Sequence, residues 1–290
     1  MLPASKAIFA EWTPPIVLTG ILIFTAILYT RGWHAIRRTR PGQFSTLRLG
    51  SFLGGLGIIW LAIASPLDGF ADVLLSAHMV EHLLLMSFAP PLLLLGYPLV
   101  PLLRGLPRGV VVPLLGPLLR TRILRQLAHT LTTPIVAWLA MNLIFLSWHI
   151  PAAYDFALDH ERWHEFEHMC FLGTSILFWW PVVRPWPTRA RSGGWLLLPY
   201  LIMADIVNTA LSAFLAFCDR PVYSYYLREP NPFGISPLSD QRSGAVIMWV
   251  IGSLIFLVPA TVLTIRLLQQ PAPSASDRSP AGRPPVAKVG

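Results

Sequence analysis

The chain has 290 residues, 54% of them hydrophobic and only 12% charged. Soluble globular domains carry roughly 25% charged residues, so this composition excludes an ordinary soluble domain and points to a membrane protein. The net charge of +8 would suit a nucleic-acid binder, but the arginines sit in short segments between apolar runs. The expected partner is therefore the lipid bilayer and not nucleic acid. Cys170 and Cys218 are too few for a disulfide framework and fix no redox compartment.

Seven apolar runs follow in chain order, at 16–29, 47–64, 70–95, 133–150, 163–183, 195–217 and 245–268. A helix needs about 20 such residues to cross the hydrocarbon. Helices are expected because lipid leaves unpaired backbone groups without partners. The first run is not an obvious cleaved signal peptide: Pro14 and Pro15 precede it, and arginines follow without a small-residue cleavage site. The third contains Pro90 and Pro91, which remove two backbone donors and should kink or end the helix. The segment 96–133 reads either as an interfacial stretch or as an apolar loop under the bundle. The fold class is all-α: a polytopic membrane protein whose seven transmembrane helices occupy residues 1–270. Residues 271–290, rich in Pro, Ala and Ser, read as a disordered cytoplasmic tail.

Charge sets the orientation. Arg31, Arg37, Arg38, Arg40 and Arg48 follow the first run; Arg104, Arg108, Arg120, Arg122 and Arg125 follow the third. Arg184, Arg189 and Arg191 follow the fifth, and Arg266, Arg278, Arg283 and Lys288 the last. Seventeen of the 22 basic residues thus fall on one side, with a single acid, Asp277. The positive-inside rule makes that side cytoplasmic. The N-terminus is then outside and the C-terminus inside, which requires an odd number of spans.

Six of the eight histidines fall on the opposite side: His78, His82, His149, His160, His164 and His168. His78 and His82 are four apart, as are His164 and His168, so each pair shares one helix face at about 6 Å along the axis. Two imidazoles so placed can grip one metal ion. The acids Glu81, Asp155, Asp159, Glu161, Glu165 and Glu167 lie nearby. Glu81 and Glu167 are candidates to orient the rings or to ligate, although Glu161, Glu165 and Glu167 also suit a solvated helix start. Met79, Met86 and Met169 flank the histidines and Met248 lies at similar depth; methionine also serves as core filler. Thioether with imidazole favours copper, particularly Cu(I), while imidazole with carboxylate suits zinc. Asp205 and Asn208, in the middle of the sixth run, form a further candidate because an intramembrane carboxylate is costly. Its natural partners would be the histidines or Arg242. Trp148, Trp163, Trp179, Trp180 and Trp195 read mostly as interfacial anchors.

Several of these residues carry a family resemblance. His78-Met79-Val80-Glu81-His82, continuing through Ala89-Pro90-Pro91 to Leu95-Gly96-Tyr97-Pro98, resembles the third-helix signature of the CtaG family of polytopic bacterial cytochrome c oxidase assembly factors. Trp148-His149-Ile150-Pro151 with Tyr154-Asp155, then His164 with Glu167-His168, then Asp240-Gln241-Arg242 with Gly244 and Met248-Trp249, are similar to the following blocks in the same order. The resemblance implies a bacterial plasma-membrane protein that assembles a haem–copper oxidase, partnering oxidase subunits and handling copper at the outer face. It implies a metallochaperone or assembly factor and not an enzyme. On the residues alone, the metal ligands would be His78, His82, His149, His164 and His168, with Glu81, Glu167, Asp205, Met79, Met169 and Met248 as supporting groups. A membrane-embedded zinc hydrolase, a b-type haem protein and a metal-free oxidase scaffold remain alternatives.

Overall fold

A computed structural model of the chain describes residues 12–40, 42, 44–107, 109, 111–185, 194–228 and 231–269. Every regular element among them is helical. The expected tail, and Arg108, Arg189, Arg191, Arg278, Arg283 and Lys288, lie outside the described residues.

The principal helices are α1 (Ile16–Arg37), α2 (Thr46–Ile63), α3 (Leu75–Leu83), α4 (Ala89–Leu95), α5 (Leu99–Gly105), α6 (Arg122–Leu131), α7 (Pro134–Trp148), α8 (Pro151–Leu158), α9 (Glu161–Val183), α10 (Leu197–Phe217) and α11 (Pro237–Leu268). Five segments are long and apolar enough to cross a membrane: α1, Thr46–Ala71, Leu75–Leu95, Gly194–Phe217 and α11. The pair α6 and α7, bent by 67°, makes a sixth if counted as one span. Helix α9 has 23 residues, but imidazoles and carboxylates fill its first turns and dilute its apolar character. Residues such as Ile16, Ile135 and Phe217 stand more than 70% exposed, as lipid-facing side chains do. The architecture is that of a multi-pass membrane protein.

Element boundaries differ from the apolar runs where polar residues continue a helix. Helix α1 runs on to Arg37, so Arg31 and His34 lie on it and not in a loop. Helix α11 begins at Pro237, eight residues before the apolar run, with the Ser236 hydroxyl accepting from the Ser239 N–H as its cap. The segment 96–133 divides its two expected readings. Helix α5 packs against α1, burying Pro101 and Gly105. Helix α6 buries none of its residues and carries Arg122, Arg125, Gln126 and His129 at helical spacing.

The proline pair does not end the third span. A π-helical turn, Leu84–Phe88, absorbs the disruption, and Pro90 and Pro91 then sit in the first turn of α4, where their missing N–H groups cost least. Pro90 leaves the Met86 carbonyl without its usual partner four residues on. The Trp179 indole N–H donates to that carbonyl at 3.2 Å. Trp179 is therefore a core residue, 4% exposed, and not an interfacial anchor.

Two contacts set the helix positions. On one side, Gly32 and Gly105 let α1 and α5 touch backbone to backbone: a Cβ at Gly32 would fall 1.8 Å from the Pro101 carbonyl oxygen, and one at Gly105 1.9 Å from that of Leu28. On the other side, the Asp240 carboxylate caps α3 from another helix. It accepts from the Leu75 N–H at 2.6 Å, the Ser76 N–H at 3.2 Å and the Ser76 hydroxyl at 2.5 Å. Next to it, Gln241 accepts from the Val222 N–H at 2.7 Å and donates to the Leu215 carbonyl at 3.0 Å, tying α10 to α11.

Gly105→Ala should force α1 and α5 apart and cost about 1–3 kcal/mol, seen as a lower melting temperature in detergent. Asp240→Ala should lower it also, by about 1–3 kcal/mol, because two buried amides lose their acceptor. Asp240→Asn, which keeps one acceptor oxygen, should fall between Asp240→Ala and the natural protein.

Candidate metal centre

Helices α3 and α9 carry the histidine pairs, and the rings meet in the same order along both. The His78 and His164 ring centroids are 5.2 Å apart and those of His82 and His168 5.6 Å, so the two helices run parallel. Within the helices, the His78–His82 and His164–His168 rings stand 4.1 and 4.3 Å apart, as i,i+4 spacing dictates. His149 closes α7 and approaches His82 at 6.4 Å. Its Nδ1 donates to the Phe145 carbonyl at 2.7 Å, which fixes the tautomer and leaves the Nε2 lone pair free.

Glu81 and Glu167 enter the same pocket. Glu81 is fully buried and Glu167 is 1% exposed. The Glu81 carboxylate lies 3.4 Å from His168 Nε2, and that of Glu167 lies 3.8 Å from His82 Nε2. Glu167 is thus no part of a solvated helix start, although Glu161 and Glu165 are exposed. The reason is position: 164, 167 and 168 share one face one to two turns into α9, whereas 165 is turned off that face and 161 is the first residue of the helix. Two groups of donors converge, each with its atoms within 4.8 Å of one another: His78, His82, His164 and Glu167, and Glu81, His164 and His168. Every one of these residues has a buried polar atom without a hydrogen-bond partner, as does His149 at Nε2. Buried polar groups are ordinarily hydrogen-bonded, and a cluster left open in this way has the donors that could hold a cation.

Other expected residues fall elsewhere. Asp205 is half-buried on α10, and among the described residues no hydrogen bond or ion pair joins it to a histidine or to Arg242. The residue of that helix that turns inward is Asn208, whose amide donates to the Met248 carbonyl at 3.3 Å against the open face of Gly252. Met169 is 63% exposed and points away. His160 is exposed and bonds the Phe156 carbonyl through Nδ1. Met79 and Met248 are buried; with Met86 and Met141 they line a cavity of about 40 Å³ that His82 and His149 also border.

A cap that the apolar pattern did not foretell covers the pocket. Helix α8 and the segment before α11 lock together. The Asp155 carboxylate accepts from the Ser224 hydroxyl at 2.6 Å and from the N–H groups of Ser224 and Tyr225, and Arg228 pairs with Asp159 at 3.0 Å. Tyr154 stacks on Tyr223 at 3.9 Å and lies 5.2 Å from His78. Tyr226 donates to the Ala71 carbonyl at 2.9 Å. Burial pushes the Tyr223 and Tyr226 hydroxyls well above the usual tyrosine range, so both stay protonated. The Asp155 carboxylate, four residues past Pro151, was the available signal for this cap.

An uncharacterised protein of Mycobacterium bovis and another of Mycobacterium tuberculosis are each 26% identical to the chain, over 97% of its length and 42% of their own. One of Mycobacterium leprae is 25% identical over 90% of the chain and 40% of its own length. The chain spans less than half the length of these relatives. No solved structure matches it significantly. The sequence model of the cytochrome c oxidase caa3 assembly factors matches residues 27–270, which include every helix of the pocket, and the chain belongs to that family.

Proposed function

We propose that the chain takes up copper at the outer face of a bacterial plasma membrane and passes it to a subunit of the cytochrome c oxidase being assembled. The observation that carries this reading is the convergence of four buried imidazoles, the half-buried His164 and two buried carboxylates, each with a buried polar atom that lacks a partner. Family membership supplies the context, since these proteins are assembly factors and not catalysts. Copper is the cargo. Imidazole suits it, and the four methionines beside His82 and His149 offer thioethers, which favour Cu(I).

The chain's own residues divide the work. His78, His82, His164, His168 and His149 present nitrogen donors. Glu81 and Glu167 balance the charge of a bound cation and orient the rings opposite them. The tyrosine cap keeps water from the donors. The topology that accompanies this reading has seven spans, with α9 counted as one of them and the N-terminus outside, so that the pocket lies in the outer leaflet.

His78→Ala and His168→Ala should each weaken Cu(I) binding by more than the roughly 10-fold that follows loss of a ligand-orienting partner. The measurement is copper content and affinity in protein purified without a histidine tag, alongside oxidase activity in cells that depend on the chain. Unchanged copper in both variants, or retention of zinc in preference to copper, would falsify the copper reading. The orientation has its own test. With Cys170 and Cys218 replaced by serine, Glu161→Cys should react with a membrane-impermeant thiol reagent on intact cells and Arg125→Cys should not. The reverse pattern would overturn the topology.

A further inference from the structure

The two site helices carry the same pentad: His78-x-x-Glu81-His82 on α3 and His164-x-x-Glu167-His168 on α9. In a helix the first, fourth and fifth positions of such a pentad lie on one face. The two faces meet, and each glutamate reaches across to the second histidine of the other helix, Glu167 to His82 at 3.8 Å and Glu81 to His168 at 3.4 Å. Parallel helices exchanging identical contacts are related by an approximate two-fold axis along the bundle. The converging donor groups respect that symmetry. One contains His78, His82 and Glu167, the other His164, His168 and Glu81, with the His164 ring close to both.

We infer that the pocket takes two metal ions, one held by His78, His82 and Glu167 and the other by His164, His168 and Glu81. This rests on the metal-binding reading above and adds its stoichiometry. Separations of 3.4 and 3.8 Å exceed a good hydrogen bond but match two ligands of one ion, which stand about 3.3 Å apart when each bond is about 2 Å and the angle tetrahedral. One four-coordinate ion would engage four donors and leave most of the ten partnerless buried nitrogen and oxygen atoms of these six residues unanswered. Charge is compatible with this count: two Cu(I) ions would neutralise the two carboxylates in a medium where an uncompensated charge is costly.

The test is anaerobic titration of the untagged full chain in lipid nanodiscs with Cu(I), against a chromophoric Cu(I) chelator. Two equivalents per chain are expected for the natural sequence. Glu81→Gln and Glu167→Gln should each keep one equivalent, with an unchanged melting temperature showing that the fold survives. After oxidation, the natural protein should give the electron paramagnetic resonance of a magnetically coupled Cu(II) pair. One equivalent in the natural sequence overturns the two-ion site and leaves the copper function standing; no bound copper at all overturns both. Loss of both equivalents in a folded Glu→Gln variant, or two uncoupled Cu(II) signals, also overturns the paired arrangement.

Discussion

Hydrocarbon supplies no hydrogen bonds, so every polar group at membrane depth must be answered from within the chain. The bundle obeys this rule at its irregular points. The carbonyl that Pro90 strands is taken by Trp179. The uncapped start of α3 is taken by Asp240, and the Val222 amide by Gln241. Against that background, a knot of imidazoles and carboxylates left open within the fold is the largest departure among the described residues, beside the single atoms Ser175 Oγ and Asp205 Oδ1. Proteins depart from consistent satisfaction chiefly where function requires it.

The family blocks and the pocket walls are the same segments. The block around His78 forms one wall and that around His164 the facing wall. The block at Trp148 supplies His149 and, through Tyr154 and Asp155, the cap. The block at Asp240 fixes the height of the first wall and contributes Met248 to the neighbouring cavity. Blocks far apart in the sequence thus have a common reason to be short and separately recognisable: each contributes one surface of a single chamber, while the lipid-facing residues between them need only be apolar.

Much of this was legible from spacing. Histidines four apart define a face whatever surrounds them, so the meeting of His78, His82, His164 and His168 was readable before any fold was known. Glu167 was harder. Three acids in one helix start resemble a solvated turn; register with His164 and His168 separates Glu167 from Glu165, and depth along the helix separates it from Glu161, the first residue of α9. Asp205 was marked by its cost in a membrane, and its Oδ1 is buried without a partner; Asn208, one turn on, is the more deeply buried of the two and bonds across to α11. Trp179 could not be told from the belt tryptophans, because the carbonyl it serves is created by a proline 89 residues earlier in the chain. The number of spans was blurred for the same reason that the site exists. Placing ligands on α9 makes it less apolar than its neighbours.

The cap that Asp240 provides has a bearing on how the chain is made. Asp240 and Leu75 lie 165 positions apart. While the ribosome is still extending the polypeptide, the beginning of α3 therefore lacks its acceptor until α11 has been threaded into the bilayer. The chamber reaches its finished geometry only once α11 has been made, and a product cut short before Asp240 lacks the means to hold its first wall in place.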